Sequence, residues 1–180
     1  MGYSSIGHAG YLLIGIACAS TLGTAAINFY LAGYLVANLA VFLVITAFSA
    51  HVNSDQMQDY AGLSRRSPFL AAAMFLALLS LAGVPPLAGF FGKFLLLMAA
   101  VAQGYLWLAL IGAGAVVVSL YYYLMLVKTM YVEAPADQSP IPVNLSMRLG
   151  ILACVAGMLA IGIWQQPFLD LSLNAIKGLF

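Results

Sequence analysis

Charge is scarce in this chain. Of its 180 residues only 6% are charged and 64% are hydrophobic, whereas soluble domains carry about 25% charged residues. No Asp, Glu, Lys or Arg occurs in residues 1–54 or 149–169, and Lys93 is the single one in residues 67–127. Each of these stretches is long enough for one or more membrane spans of about 20 residues. The chain is therefore predicted to be an integral membrane protein.

Basic clusters, paired cysteines and enzymatic motifs are also missing. The formal net charge is +1 and no run of Lys and Arg suits nucleic acid. Cys18 and Cys154 lie in apolar runs, where a thiol behaves as a small hydrophobe, so neither a disulfide nor a metal site is expected. No nucleophile–base pair, phosphate-binding loop or metal-ligand spacing is found. Covalent catalysis by this chain alone is not expected, nor is a signal peptide, because the opening residues have no basic segment.

Apolar runs and helix breakers predict an all-α bundle of about five transmembrane helices. The spans are predicted at residues 4–23, 26–50, 69–101, 105–131 and 147–165. The third is long enough to cross only if it tilts or is interrupted. Residues 1–180 are thus expected to form a single transmembrane region with no soluble domain.

Basic residues in the loops predict an orientation. Arg65 and Arg66 lie in the polar loop 51–68, and Lys128 and Arg148 flank the loop 133–144. Cytoplasmic loops carry an excess of Lys and Arg, so both loops are predicted to be cytoplasmic. With five crossings, the N-terminus is then cytoplasmic and the C-terminus is periplasmic in a bacterial inner membrane.

The tail after Pro167 is amphipathic at helical spacing. Its apolar face comprises Leu169, Leu173, Ile176 and Phe180, and its polar face Asp170, Asn174 and Lys177. This pattern predicts a short helix over residues 168–180 that lies on the outer membrane interface or against a neighbouring subunit.

The stretch LAGVPPLAGFFGKF, residues 81–94, combines helix breakers with Lys93, the charged residue of the stretch 67–127. The breakers are Gly83, Pro85, Pro86, Gly89 and Gly92. Prolines have no amide hydrogen, so the carbonyls of Leu81 and Ala82 lose the partners that a helix provides four residues on. Glycines let the backbone bend or approach another element closely. The third span is therefore predicted to be a broken helix.

Lys93 is predicted to lie near the middle of the membrane. It is ten residues from Gln103 at the end of its span, roughly 15 Å of helix and about half of a ~30 Å hydrocarbon core. A charge at that depth costs about 2.5–3.5 kcal/mol, so the ammonium must be solvated. Freed backbone at such depth is buried in protein or lines a hydrated cavity, and transporter sites use interrupted helices in this way. Lys93 is a candidate proton relay.

A static role for Lys93 is the alternative. The prolines then only shape helix packing, and the lysine pairs with a carboxylate for stability. None of the predicted spans contains Asp or Glu. Either role therefore requires an acidic partner outside this set of spans.

The sequence gives weaker indications of function for other polar residues. His8 in the first span suits a proton relay and a helix-packing hydrogen bond equally well. Ser4 and Ser5 are expected to cap or pack the first helix.

Aromatic and basic residues end the fourth span. The run Tyr121–Tyr123 favours an aromatic belt at the inner membrane interface over a relay. Lys128 is expected to be an interfacial anchor, although Lys128 and Tyr122 are also candidates for a proton entrance.

Three segments together resemble a known family. They are YSSIGHAGYLL (3–13), SLAGVPPLAGFFGKF (80–94) and LYYYLMLVKTMYVEAP (120–135). In this order they resemble the antiporter-like subunits of respiratory complex I, the proton-pumping NADH-quinone oxidoreductase, and in particular the subunit N (subunit 2) branch. The similarity runs across most of the chain. The broken-helix motif is also shared with sodium/proton antiporters and membrane-bound hydrogenases, which are the alternative assemblies beside a purely structural membrane scaffold.

The resemblance implies a function in proton translocation coupled to quinone reduction. The family's relay lysine corresponds to Lys93 and the histidine of its YSSIxH motif to His8. The family's essential glutamate lies in an upstream repeat that this sequence lacks, so the chain is expected to be the C-terminal part of such a subunit. Other membrane-arm subunits and the lipid bilayer are the implied partners, with no nucleic acid. NADH, flavin, iron–sulfur clusters and quinone are expected on partner subunits, and no cofactor on this chain.

Overall fold

Helices make up the secondary structure of the computed structural model, which describes residues 1–52, 56–135, 137 and 139–177. Besides a single 3-10 turn at Met57–Tyr60, the helices of the described residues are α1 (Gly2–Ala17), α2 (Thr21–Val52), α3 (Leu63–Arg66), α4 (Pro68–Ala82), α5 (Ala88–Ala102), α6 (Leu106–Tyr131), α7 (Leu145–Ile163) and α8 (Gln165–Ile176). The predicted all-α class is confirmed. The long third apolar run forms two helices, α4 and α5, separated by residues 83–87, as the break predicts.

Helix α1 ends earlier than the predicted span 4–23. The chain turns after Ala17, and Ala19 has a positive φ of 42°. Ser20 then caps the next helix, because its hydroxyl accepts a hydrogen bond from the amide of Gly23 at 3.1 Å, one of the helix-start donors that otherwise lack a partner. The local turn thus takes residues 18–20 out of both helices.

Helix length and hydropathy agree with a membrane protein. In the part of the chain that the structure describes, three helices are long and apolar enough to cross a bilayer, namely α2, α6 and α7. The two halves of the broken run, α4 and α5, are shorter apolar helices. Large apolar side chains on α1 and α6 face outward, such as Leu13, Ile111 and Val118. Such an apolar exterior suits lipid or other membrane helices.

Helix α2 is the centre of the bundle and packs against α1, α4, α5, α7 and α8. One core cluster joins α2 to α4, α6 and α7 through fully buried side chains such as Phe48, Leu78 and Met158. A second cluster joins α1, α2, α5 and α6 around Tyr11 and Leu96. In a bilayer, close packing and hydrogen bonds between helices are what stabilise such contacts.

The loops 51–68 and 133–144 meet at one end of the bundle. The Arg66 side chain donates from Nε to the carbonyl of Ser139 at 3.1 Å and lies 3.5 Å from a carboxylate oxygen of Asp137. The amide of Ile141 in turn donates to the Arg66 carbonyl at 3.3 Å. The loops were predicted to share one side of the membrane, and this arrangement requires it.

Helix α8 packs against its own chain. Phe168 and Leu169 pack against the cluster of Phe29, Ala88 and Ile161, α8 contacts α2, and Ile176 is 1% exposed. The apolar face predicted for the outer interface or a neighbour therefore covers α2 in this region. Phe180 lies outside the described residues.

Candidate functional site

The end of α4 is set by Gly83, three residues after Ser80. Gly83 has a φ of 88°, a left-handed conformation that costs glycine little and ends helices. The amide of Gly83 donates to the Ser80 carbonyl at 3.0 Å and the amide of Val84 to the Leu79 carbonyl at 3.0 Å. This pair of bonds leaves the last two helical carbonyls, of Leu81 and Ala82, free for another donor.

Lys93 supplies that donor. Its Nζ donates to the Leu81 carbonyl at 2.8 Å and to the Ala82 carbonyl at 3.0 Å, while its stem crosses Gly83. The side chain is 3% exposed. The C-terminus of a helix carries partial negative charge, so the end of α4 stabilises the ammonium. Among the residues that the structure describes, Lys93 forms no salt bridge.

The start of α5 is held by the same segment of α4. The Ser80 hydroxyl accepts from the amide of Gly89 at 3.3 Å, and Ser80 is fully buried. Gly92 lies against the ring of Tyr30. The two prolines form the turn between the half-helices and are joined by a cis peptide bond. Gly83 and the two prolines thus lie in the break, whereas Gly89 and Gly92 lie in α5 and let it pack closely against α4 and α2.

His8 lies on α1 between two phenols. Its Nδ1 is 2.5 Å from the Tyr30 hydroxyl on α2, and its Nε2 is 3.1 Å from the Tyr123 hydroxyl on α6. Tyr123 is also hydrogen-bonded to the Ser4 hydroxyl. The imidazole is 5% exposed, and both of its nitrogens have a partner, so His8 joins three helices.

Lys93 and His8 open onto one cavity. It has a volume of about 240 Å³ and is lined by Tyr3, Ser4, Gly7, His8, Tyr11, Lys93, Ala115, Val118, Ser119 and Tyr122. A second cavity of about 400 Å³ lies between α1, the 3-10 turn, α4 and α6. The two share Tyr3, Ser4 and Tyr122 in their linings. The two cavities are therefore neighbours, one at the loop end of the bundle and one at the buried lysine.

The position of Tyr123 differs from the prediction for the run Tyr121–Tyr123. The prediction of an interfacial belt is wrong for Tyr123, which is 3% exposed and bound to His8. Tyr121 points outward, whereas Tyr122 lines both cavities. Lys128 is exposed in the last turn of α6 and lies outside both cavities as the described residues define them.

Sequence reasoning missed three partners of the site: Tyr11, Tyr30 and Tyr123. Helical spacing held a signal for one of them, because Tyr11 lies three residues after His8 and therefore on the same face of α1. The other two come from α2 and α6, and spacing within one helix says nothing about which neighbour meets it. Ser4, predicted to cap or pack, bonds Tyr123 instead of the helix end.

Comparison with known proteins decides the family. Residues 1–119 match the model of the family described as NADH:quinone oxidoreductase/Mrp antiporter, transmembrane. The chain belongs to this family. The resemblance drawn from the sequence motifs is thereby confirmed, and the protein is an integral membrane protein.

Members of this family match the whole of the chain. NADH-quinone oxidoreductase subunit N of Moorella thermoacetica is 41% identical over 100% of this chain and 38% of its own length. The protein of the same name from Heliobacterium modesticaldum is 43% identical, again over 100% of this chain and 38% of its own length. The chain thus spans about two fifths of the length of these curated relatives.

A solved structure shares the fold. A chain of respiratory complex I from Thermus thermophilus with bound aureothin superimposes with a TM-score of 0.76, covering 93% of this chain and 38% of that chain, at 30% identity. The helical arrangement around the broken helix is therefore that of an antiporter-like membrane subunit.

Proposed function

We propose that this chain is part of the membrane arm of an NADH-quinone oxidoreductase and that it moves protons through Lys93 and His8. The observation that carries the proposal is the state of Lys93. It is a buried lysine bound to two backbone carbonyls of a broken helix, and among the described residues no carboxylate pairs with it. Few contacts stabilise this charge, and a charge in the middle of the membrane costs free energy. Such a group suits a role in which it gains and loses a proton.

Lys93 can exchange its proton without losing its place in the fold. The protonated form donates to Leu81 and Ala82, and a neutral amine still has two hydrogens and one acceptor lone pair. Water in the cavity that Lys93 lines can then deliver or remove the proton. The half-helix C-terminus favours the charged form through its partial negative charge, and burial opposes it.

His8 can pass a proton between two phenols. A neutral imidazole has one donor and one acceptor nitrogen, so its bonds to Tyr30 and Tyr123 run in opposite senses. When one nitrogen takes up a proton from its phenol and the other nitrogen releases one to its own phenol, the tautomer is exchanged and one proton is passed on in net terms. Both bonds then run in the opposite sense, and the donating phenol has to be reprotonated before the next transfer. Ser4 continues this hydrogen-bonded chain beyond Tyr123.

Tyr122 is the proposed entrance, because it stands between the two cavities. The larger cavity reaches the 3-10 turn at Met57 and therefore the end of the bundle where the loops meet. Lys128 lies further along α6 toward that end, where its charge can attract water to the opening. In the predicted orientation this end is cytoplasmic, with the N-terminus on the same side and the C-terminus periplasmic.

The surroundings of the segment are inferred from its family. The partners are other membrane-arm subunits and the lipid of a bacterial inner membrane. NADH, flavin, iron–sulfur clusters and quinone belong to partner subunits, whose redox reaction supplies the energy. Support comes from two curated relatives named NADH-quinone oxidoreductase subunit N.

Proton pumping by the assembled complex tests the proposal. With Lys93→Met in the full-length subunit, coupled turnover in sealed vesicles is expected to fall about 100-fold or more, the usual contribution of a positioned proton-transfer group. Quinone reduction and proton uptake are measured together. Lys177→Met, which removes an exposed lysine from the end of α8, is the matched control and should be unaffected. Normal turnover with full coupling in Lys93→Met contradicts the proposal.

Two competing functions have distinct outcomes. A structural scaffold predicts that Lys93→Met lowers the amount of assembled complex while pumping per assembled complex stays normal. A subunit of a sodium/proton antiporter is favoured only by the family description, which names both assemblies. Copurification of the full-length subunit with antiporter partners instead of quinone-reductase partners decides for it.

A further inference from the structure

The ring of Tyr11 faces the ammonium of Lys93. The Nζ atom lies 4.9 Å from the ring centroid, and cation–π attraction acts within about 6 Å of a ring face. Tyr11 is 4% exposed, so both groups are shielded from solvent, where this attraction is strongest. The ring is therefore a third contact of the ammonium, beside the carbonyls of Leu81 and Ala82.

The ring is fixed in this position by α6. The Tyr11 hydroxyl donates to the Gly112 carbonyl at 2.6 Å. A Cβ at residue 112 would come within 2.6 Å of a terminal methyl of Leu97 on α5 and 3.1 Å of one of Ile14 on α1, so glycine lets the three helices meet closely without displacing these side chains. The close packing sets the plane of the ring, and the hydroxyl bond adds to it.

The same ring forms part of the wall of the cavity between Lys93 and His8. Lysine has a long, flexible stem, and its ammonium can leave the carbonyls by turning into this space, which Lys93 lines. Tyr11 thus lies where it can influence the equilibrium between two positions of the ammonium, at the end of α4 and in the cavity.

We propose that Tyr11 is a positioning residue whose aromatic face holds the Lys93 ammonium on the carbonyls of the broken helix. This inference rests on the proposed relay role of Lys93, because holding the ammonium matters for transport only if Lys93 carries protons. Ordinary core packing is the competing explanation for Tyr11, and a large aliphatic side chain serves packing almost as well as a ring does. The electrostatics of the ring face are what separate the two.

Variants of Tyr11 in the assembled complex test the inference. Tyr11→Phe keeps the ring and removes the bond to Gly112, whose carbonyl still lies inside α6. Tyr11→Leu and Tyr11→Met remove the ring, and the second provides a longer side chain if the first assembles poorly. The position of Lys93 is read from the structure of each complex, and the number of protons pumped per quinone is measured in vesicles.

The expected results differ between the variants. In Tyr11→Phe, Lys93 stays on the two carbonyls and pumping stays within about twofold of the parent complex. In Tyr11→Leu and Tyr11→Met, the ratio of Lys93 resting on the carbonyls to Lys93 turned away from them falls about five- to thirtyfold, as loss of a desolvated cation–π contact implies, and pumping falls with it. An unmoved Lys93 in both ring-free variants overturns the inference, and so does a loss in Tyr11→Phe as large as in Tyr11→Leu.

A double variant separates positioning from structure. Combined with Lys93→Met, Tyr11→Leu is expected to cause no further loss of turnover, because the group it positions is already absent. A further loss of similar size shows a structural role and contradicts the inference. If Lys93→Met alone pumps normally, the proposed function has failed, and the position of Lys93 in Tyr11→Leu still decides whether the ring holds the ammonium.

Discussion

Gly89→Ala in the full-length subunit is expected to reduce the amount of assembled complex about tenfold or more. A Cβ on Gly89 would overlap the backbone carbonyl of Ser80, which sits in the last turn of α4 and has no freedom to rotate away. Overpacking of a well-filled interior costs about 1–3 kcal/mol, and 1.4 kcal/mol corresponds to about tenfold in an equilibrium. The half-helices must therefore separate, and the amount of subunit in the purified complex reports it.

Gly114→Ala is the matched control. Gly114 lies inside α6, and nothing lies within 4 Å of a Cβ added there. Alanine is favoured over glycine in a helix by about 1 kcal/mol, so this variant should assemble at least as well as the parent. Wild-type assembly of Gly89→Ala would contradict the prediction, because it would show that α4 and α5 can move apart at little cost.

The break and the site respond together to such a change. Ser80, whose hydroxyl receives the Gly89 amide, directly precedes Leu81, whose carbonyl receives Lys93. Any shift of α4 away from α5 therefore lengthens the contacts of the ammonium. Complexes of Gly89→Ala that do assemble are expected to pump less per quinone than the parent complex.

The sequence alone predicts which carbonyls are available to bind Lys93. Missing proline amides predict that Leu81 and Ala82 lack helical partners, and those two atoms accept from Lys93. The structure adds that Gly83 ends α4 before the prolines are reached, and that its turn uses the carbonyls of Leu79 and Ser80. The missing partners of Leu81 and Ala82 depend on prolines only four residues away, which is why the sequence could show them.

Contacts between helices that are distant in sequence could not be predicted in this way. Depth counted along α6 placed the tyrosine run at an interface, yet the rotation of α6 turns Tyr123 inward to His8 and leaves Tyr121 outside. Spacing also could not show that Gly112 brings α6 close enough to receive the Tyr11 hydroxyl. The family match gives the class of assembly, and the pairing of side chains around Lys93 comes from packing alone.

His8→Gln is expected to assemble well and to pump poorly. A glutamine amide offers one acceptor and one donor group, so it can keep both Tyr30 and Tyr123 bonded, but it has no tautomer exchange that carries a proton across. Coupled turnover is expected to fall about 100-fold, the usual contribution of a positioned proton-transfer group. The measurement is again pumping together with quinone reduction, per assembled complex.

His8→Leu is expected to fail in both respects. It removes the partner of the Tyr30 hydroxyl, whereas the Tyr123 hydroxyl keeps its bond to Ser4. An unsatisfied buried group costs about 1–3 kcal/mol, so assembly should fall as well as transport. His51→Gln, at the exposed end of α2, is the control and should resemble the parent. Normal pumping by His8→Gln would reduce His8 to a hydrogen-bonded packing residue, whereas good assembly with lost pumping places it in the proton path, because the amide preserves the contacts and removes only the exchange.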